Sequence, residues 1–287
     1  MPKGASKRGQ VQMTWSRYRK SKLAMLGLVT VSVLFFAALA IPLFKDYEMA
    51  IEQDFSSRYQ PIGAGHIFGT DQFGRDIFIR MVFGARISLL VGIATVSASL
   101  VAGAFIGAAA GYYGGRLDEI LMRIMDVFLA IPNTLLAISI VAALGQGITN
   151  LLIALAISQV PSFARVVRAS ILTVKEQDYI EAARALGTSN ARIIARHILP
   201  NAIGPIIVQT TLNVARTILN ISSLSFVGLG ISPPTPEWGS MLADAKPQML
   251  QYPHLILIPG AAIAITVMAI NLVGDGLRDA LDPRLRN

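Results

Sequence analysis

The sequence predicts an all-α polytopic membrane protein with six transmembrane helices, and three observations carry that expectation. Of its 287 residues, 53% are hydrophobic and only 15% charged, a balance too apolar for a soluble domain. Uncharged runs recur that reach or exceed the roughly 20 residues an α-helix needs to cross a bilayer. Lysine and arginine gather beside those runs, and the net charge of +8 follows from that placement. The same distribution argues against nucleic acid as a partner, because the basic residues do not share one aromatic-bearing soluble face.

Taken in order, residues 1–22 form a basic tail with Lys3, Lys7, Arg8, Arg17, Arg19, Lys20 and Lys22, which places it in the cytoplasm. The run 23–44 is the first span. At about 22 residues it exceeds the roughly 7–15 of a signal-peptide core, so an uncleaved helix is expected. Residues 45–86 form an extracytoplasmic segment whose five basic residues are accompanied by Asp46, Glu48, Glu52, Asp54, Asp71 and Asp76. A second span covers 87–110. The stretch 127–164 has no charge over about 38 residues, too many for one crossing, and Gly145-Gln146-Gly147 followed by Thr149-Asn150 breaks it into a hairpin of spans three and four. The fifth span covers about 206–230 and the sixth about 255–274, with 278–287 as a cytoplasmic tail. Counting crossings puts Arg116, Arg123, Arg165, Arg168, Lys175, Arg184, Arg192, Arg196, Arg278, Arg284 and Arg286 on the side of the N-terminus. The outer connections after spans three and five hold only Lys246. Both termini are therefore predicted cytoplasmic.

Between spans four and five lies a polar, basic insert, Glu181-Ala182-Ala183-Arg184-Ala185-Leu186-Gly187, then 191–196 and His197-Ile198-Leu199-Pro200. It reads as helix, turn and second helix. Ala182, Ala183 and Ala185 favour helix and carry almost no side chain, so another protein surface can approach that backbone closely. Gly187 ends the first helix without strain, Thr188 or Ser189 caps the second, and Pro200 is expected to stop it.

At these residues the chain resembles the EAA motif of bacterial ABC importer permeases, with Glu181, Ala182, Ala183, Gly187, Leu199 and Pro200 at the family's spacing. His197 departs from the general pattern, which has Ile there, and is similar to the peptide-permease branch, where His-Ile-Leu-Pro-Asn is common. Phe68-Gly69-Thr70-Asp71-Gln72-Phe73-Gly74-Arg75-Asp76, with Arg80, Gly84-Ala85-Arg86 and Ser88-Leu89, resembles the segment before span two in the second permease subunit of dipeptide and oligopeptide importers. Residues 224–230, 233–239 and 271–283 are similar to that subunit's C-terminal third. The resemblance implies a type I ABC importer permease fold, with residues 87–277 as its transmembrane domain and a cytoplasmic coupling hairpin at about 165–204. It implies a permease of an ATP-driven, binding-protein-dependent importer in the bacterial cytoplasmic membrane, carrying dipeptides or oligopeptides. Nickel, glutathione and opine-like solutes are alternatives within the branch. The partners it implies are a sister permease, two ABC ATPase subunits, an extracytoplasmic substrate-binding protein and the peptide substrate, all set in a lipid bilayer.

The chain itself carries no visible enzymatic chemistry. It has no cysteine, and its three histidines make no pair with zinc-ligand spacing. The glycine-rich 69–75 segment lacks the Gly-Lys-Ser/Thr ending that would hold phosphate and magnesium, and is expected outside the cell. Instead Thr70 or Asp71 is expected to cap a short interfacial helix there. No cofactor is expected in this chain; ATP and magnesium belong to the partner ATPases. An ion-coupled secondary transporter, the rival class, would need intramembrane carboxylates and inverted repeats, and neither is evident.

Span five offers the pathway. Gln209, Asn213, Arg216, Asn220 and Ser223 recur at spacings of four, three, four and three, on one helical stripe. Polar groups in a span avoid lipid, so the stripe faces protein or a wet cavity. Arg216 meets either a peptide carboxylate or an acidic residue of another span or subunit; related permeases carry an acidic residue near Asn220, which this chain lacks. Asp126 and Asn133, seven apart, could line the same cavity, though Arg123 is close enough to pair with Asp126. Asp275 and Arg278 belong to the inner end of span six.

Overall fold

Inside a bilayer no water satisfies backbone amides, so uncharged segments fold as helices that bond every N–H internally. The computed structural model describes residues 7–63 and 65–281; Lys3, Asp282, Pro283, Arg284 and Arg286 lie outside them. Eleven α-helices follow one another: α1 (Lys7–Tyr18), α2 (Lys22–Phe44), α3 (Ile77–Tyr113), α4 (Gly115–Leu129), α5 (Asn133–Leu144), α6 (Ile148–Lys175), α7 (Asp178–Ala185), α8 (Asn190–Ile193), α9 (Leu199–Phe226), α10 (Trp238–Ala245) and α11 (His254–Leu281). No strand occurs among the described residues, only a bridge between Thr70 and Asp76. Five helical stretches are long and apolar enough to span a membrane: α2, α3, α6, Asn190–Phe226 and α11. A sixth crossing exists if α4 and α5 act together.

That pair departs from the straight third span expected. α4 and α5 meet at 83°. Pro132 has no N–H to continue the helix and pushes Ile131 out of the helical region, so the chain turns there. α5 holds only 12 residues, about 18 Å of helix, and cannot cross alone. The following turn is as expected: Gly145 and Gly147 take positive φ, and Asn150 Nδ2 donates to the carbonyls of Leu144 (2.9 Å) and Gly145 (3.1 Å), closing the α5–α6 hairpin.

Three other boundaries move. α3 begins at Ile77, so residues 77–86, assigned to the extracytoplasmic segment, are its first turns. α6 runs on to Lys175, leaving a shorter hairpin than 165–204. Pro200 does not stop a helix. It occupies the N-terminal turn of α9, where its missing N–H is tolerated, and a π-helical turn at Ile194–Ile198 joins α8 to α9.

α3 and α6 form the central pair. Gly103, Gly107 and Gly111 recur every four residues on one face of α3 and let the two backbones touch: a Cβ on Gly107 would stand 2.4 Å from the Ala164 carbonyl oxygen. With lipid as apolar as leucine, such close packing is what drives helices together. Gly107→Ala is therefore expected to force the pair apart and lower stability by roughly 1–3 kcal/mol, read as a lower melting temperature of the purified complex. An unchanged melting temperature would show that α3 and α6 lie further apart. α2 and α11 pack in the same manner, with Gly27 against Ala269 and Leu272, and Gly276 against Ala24 and Tyr18. The rest of α2 presents Leu23, Leu26, Val29, Val33, Phe36 and Leu43 outward, the all-round apolar surface of a membrane helix.

Candidate coupling and pathway sites

α7 is anchored through one side. Ile180 is fully buried with Ile193 and Ile198 of the second arm, against Tyr112, Val167, Ile171 and Ile206 at the ends of α3, α6 and α9. Ala183 is half-buried on this face. The opposite face carries Glu181, Ala182, Arg184 and Ala185, all exposed, and leads to Leu186, 85% exposed. Gly187 takes φ +74, its N–H donates to the Arg184 carbonyl, and Thr188 N–H donates to that of Ala183, a paired ending that satisfies the last carbonyls of α7. Ser189 precedes α8 in extended conformation but makes no side-chain capping bond. Leu199 is half-buried and Pro200 exposed. Beside this surface, burial pushes the Tyr179 hydroxyl pKa up.

Tyr112 holds the hairpin to the bundle, a role not apparent from sequence. Its hydroxyl donates to Asn190 Oδ1 at 2.6 Å, and the guanidinium of Arg184 and the ammonium of Lys175 lie over its ring at 5.3 and 5.9 Å from the centroid. The local signal was an aromatic pair, Tyr112-Tyr113, ending a long apolar run.

Two ion pairs tie α4 to α6. Arg168 donates two 2.6 Å bonds to Asp118, and Arg165 donates at 2.6 Å to Asp126. Asp126 thus pairs with α6 and not with Arg123. Asn133 sits beyond the 83° bend on α5, so the seven-residue spacing does not place it on a shared helix face with Asp126. Asp275 and Arg278 are exposed near the end of α11.

The stripe on α9 divides. Arg216 and Ser223 are exposed and Gln209 and Asn220 half-exposed, on a face that α3, α6 and α11 leave uncovered. Asn213 is buried instead, its amide nitrogen without a hydrogen-bond partner among the described residues; one turn on, Thr217 Oγ1 donates to the Asn213 carbonyl at 2.7 Å and to Gln159 Oε1 of α6 at 3.1 Å. Arg216 makes no ion pair with any described residue. At about 15 Å from Phe226 along the helix it sits near the middle of a bilayer, where an arginine facing lipid costs roughly 2.5–3.5 kcal/mol or more.

The far end of the bundle is held by buried charge. Asp71 accepts from Arg75 Nε at 2.7 Å and from the backbone N–H of Phe73 and Arg75, and Arg80 Nε lies 3.5 Å away. Arg75 also reaches Asp244 of α10 at 3.2 Å, and Arg80 donates to the carbonyls of Ala50 and Pro234. Thr70 bonds within the loop, accepting from Gln60 N–H and donating to the Ser57 carbonyl. Neither Thr70 nor Asp71 caps a helix; Asp76 caps α3, accepting from Ile79 N–H, while its other oxygen meets His66 at 2.7 Å. Glu237, fully buried, caps α10 through Gly239 and Ser240 N–H and takes weaker bonds from Ser88 and Ser222. Trp238 Nε1 donates to the Met81 carbonyl. In the same exposed loop, bonds from Ser56 and Ser57 hold the Asp54 carboxyl below its usual pKa. This end gathers residues 45–63 and 65–76, α10 and the 145–147 turn, where Gln146 donates to the Gly228 carbonyl and accepts from Ser232. No cluster of three or more potential metal ligands occurs among the described residues.

Residues 99–287 match the family model of the binding-protein-dependent transport system inner membrane component, and residues 9–61 match that of the N-terminal transmembrane domain of oligopeptide transport permease C. The chain is 46% identical over 273 residues to a dipeptide transport system permease protein of Alkalihalophilus pseudofirmus, covering 95% of this chain and 90% of that one. It is 44% identical over 280 residues to a glutathione transport system permease protein of Escherichia coli, with the same coverage. Among solved structures it resembles an inward-facing methionine ABC transporter, with TM-score 0.58 at 20% identity over 72% of this chain and 98% of the other. An amino acid ABC transporter gives TM-score 0.54 at 18% identity, over 70% and 93%. These two likenesses establish the fold, that of the ABC importer permeases.

Proposed function

The chain belongs to the family of binding-protein-dependent transport system inner membrane components, multi-pass permeases of ABC importers, and we propose from that premise that it forms half of a peptide translocation pathway. Membership implies ATPase and binding-protein partners in general. The specific assembly we infer is one sister permease, two ATPase subunits and one extracytoplasmic binding protein, with ATP and magnesium held by the ATPases. The observation that carries the reading is the exposed face of Glu181, Ala182, Ala185, Leu186 and Gly187, standing out from a firmly anchored hairpin. Such a face suits a groove on an ATPase. When ATP closes the ATPase pair, the hairpin is carried with it, and Ile180, Ile193 and Tyr112 pass that displacement to α3, α6 and α9. The two ends are coupled because each favours one global state. Leu199 and Pro200 start α9, the helix that would bear the motion to Gln209, Arg216, Asn220 and Ser223 along the pathway, with Asn213 behind them.

Dipeptides are the cargo we favour, from the likeness to the dipeptide permease. Glutathione is the second reading, favoured by the likeness to the glutathione permease at nearly the same identity. Proteoliposomes holding the whole complex, with binding protein on the extracytoplasmic face and ATP on the opposite face, decide between them: ATP-driven uptake of dipeptide well above that of glutathione is expected. Because the chain has no native cysteine, Ala185→Cys in intact cells also tests orientation. Labelling by an impermeant reagent from outside would overturn the cytoplasmic placement of the hairpin and of both termini.

A further inference from the structure

We propose that Arg216 reads a carboxylate of the transported peptide from the wall of the pathway, as a substrate-binding residue in span five. This deepens the permease reading above and rests on it. Arg216 is exposed on a face of α9 that its own bundle leaves open, and it pairs with no acidic group among the described residues. The chain offers none within reach of the membrane middle: residues 127–175, 182–236 and 245–274 contain no Asp or Glu at all, and Glu237 lies just outside them. Glu237 is already committed to the α10 cap and fully buried.

Gln209, Asn220 and Ser223 on the same face are neutral and polar, and their side chains make no hydrogen bond among the described residues. Together with Arg216 they form a strip that is cationic at one point and polar along its length, edged by the exposed Leu219. A guanidinium presents a planar fork that takes both oxygens of a carboxylate, while flanking amides can bond a peptide backbone whatever its side chains. The strip therefore fits the group every peptide shares, its terminal carboxylate, and is indifferent to sequence. Glutathione carries the same group, so the inference holds for either cargo. The competing occupant is a carboxylate of the sister permease, which would bury Arg216 in a dry interface.

Arg216→Cys in the assembled complex separates these. In a chain without other cysteines the new thiol can be modified with cationic 2-aminoethyl, neutral methyl or anionic 2-sulfonatoethyl methanethiosulfonate. We expect normal complex yield, uptake reduced at least about ten-fold, and recovery of several-fold with the cationic reagent alone; saturating peptide delivered by the binding protein should slow the modification. Arg216→Lys should keep part of the uptake. Loss of assembly, or a thiol that no reagent reaches in the complex, would assign Arg216 to the sister subunit and overturn the proposal. Uptake unaffected by the substitution, or restored equally by the neutral reagent, would also overturn it, since the charge would then not be read. In each of those cases wild-type ATP-driven uptake leaves the permease reading standing.

Discussion

Asp71→Asn is expected to destabilise the complex by on the order of 3–5 kcal/mol, although it removes only one charge and keeps the shape of the side chain. Asp71 and Asp244 balance Arg75 and Arg80, whose side chains are 1% and 2% exposed. With Asp71 neutral, two buried guanidiniums share Asp244 alone, at the edge of the cluster and 3.2 Å from only one of them. Neither can turn to water. The Asn oxygen can still accept from the Phe73 and Arg75 amides, so the loop turn survives and the loss isolates the charge. Melting of the purified complex measures it. The double variant Asp71→Asn, Arg75→Met should lose less than the sum of the two single variants, since removing the second partner also removes the unpaired cation. Strictly additive losses would show that the two residues do not act as a pair.

The same cluster shows why part of the fold was legible in the sequence and part was not. The hairpin was readable because its signals are local: three alanines that favour helix and a glycine that ends it at positive φ. That Ile180 and Ile193 anchor it to the bundle was not legible in those signals. The spans were readable as uncharged runs. Where a charge is neutralised by a residue far along the chain, the uncharged run is cut short in the sequence. Arg80 and Arg86 delayed the expected start of span two by ten residues, because nothing beside Arg80 reveals that it is buried between Asp71 and the carbonyls of Ala50 and Pro234, with Arg75 bridging to Asp244 on α10. Pro132 and Pro200 show a second limit. Both are helix breakers by composition, yet only Pro132 bends the path; Pro200 follows closely on the π-helical turn Ile194–Ile198, within one helical run. The stripe on α9 shares one helical side, but which of its edges is covered depends on packing, and Asn213 is buried while Arg216 and Ser223 are exposed.

Ala182→Arg and Glu181→Lys are each expected to abolish coupled transport, lowering ATP-driven uptake at least about ten-fold, while leaving the permease folded. Both side chains are exposed and make no ion pair among the described residues, so the bundle has no use for them. Substitution of such surface positions changes stability by about 0.5 kcal/mol or less. Any loss of uptake must then arise at a partner's surface: the arginine blocks close approach to the small face, and the lysine reverses the charge that the surface presents. ATP hydrolysis by the complex should fall or cease to respond to loaded binding protein. Gly187 supplies the internal control. Its φ of +74 is costly for a β-branched residue, whereas an added Cβ meets no atom within 4 Å. Gly187→Asn, which tolerates that conformation, should therefore retain most of the uptake, and Gly187→Val should lose it by displacing Leu186 and the α7 ending. Equal tolerance of Asn and Val would mean that the turn is not held in this geometry when the hairpin is docked. Full uptake by a correctly assembled Ala182→Arg complex would remove the α7 face from the coupling surface altogether.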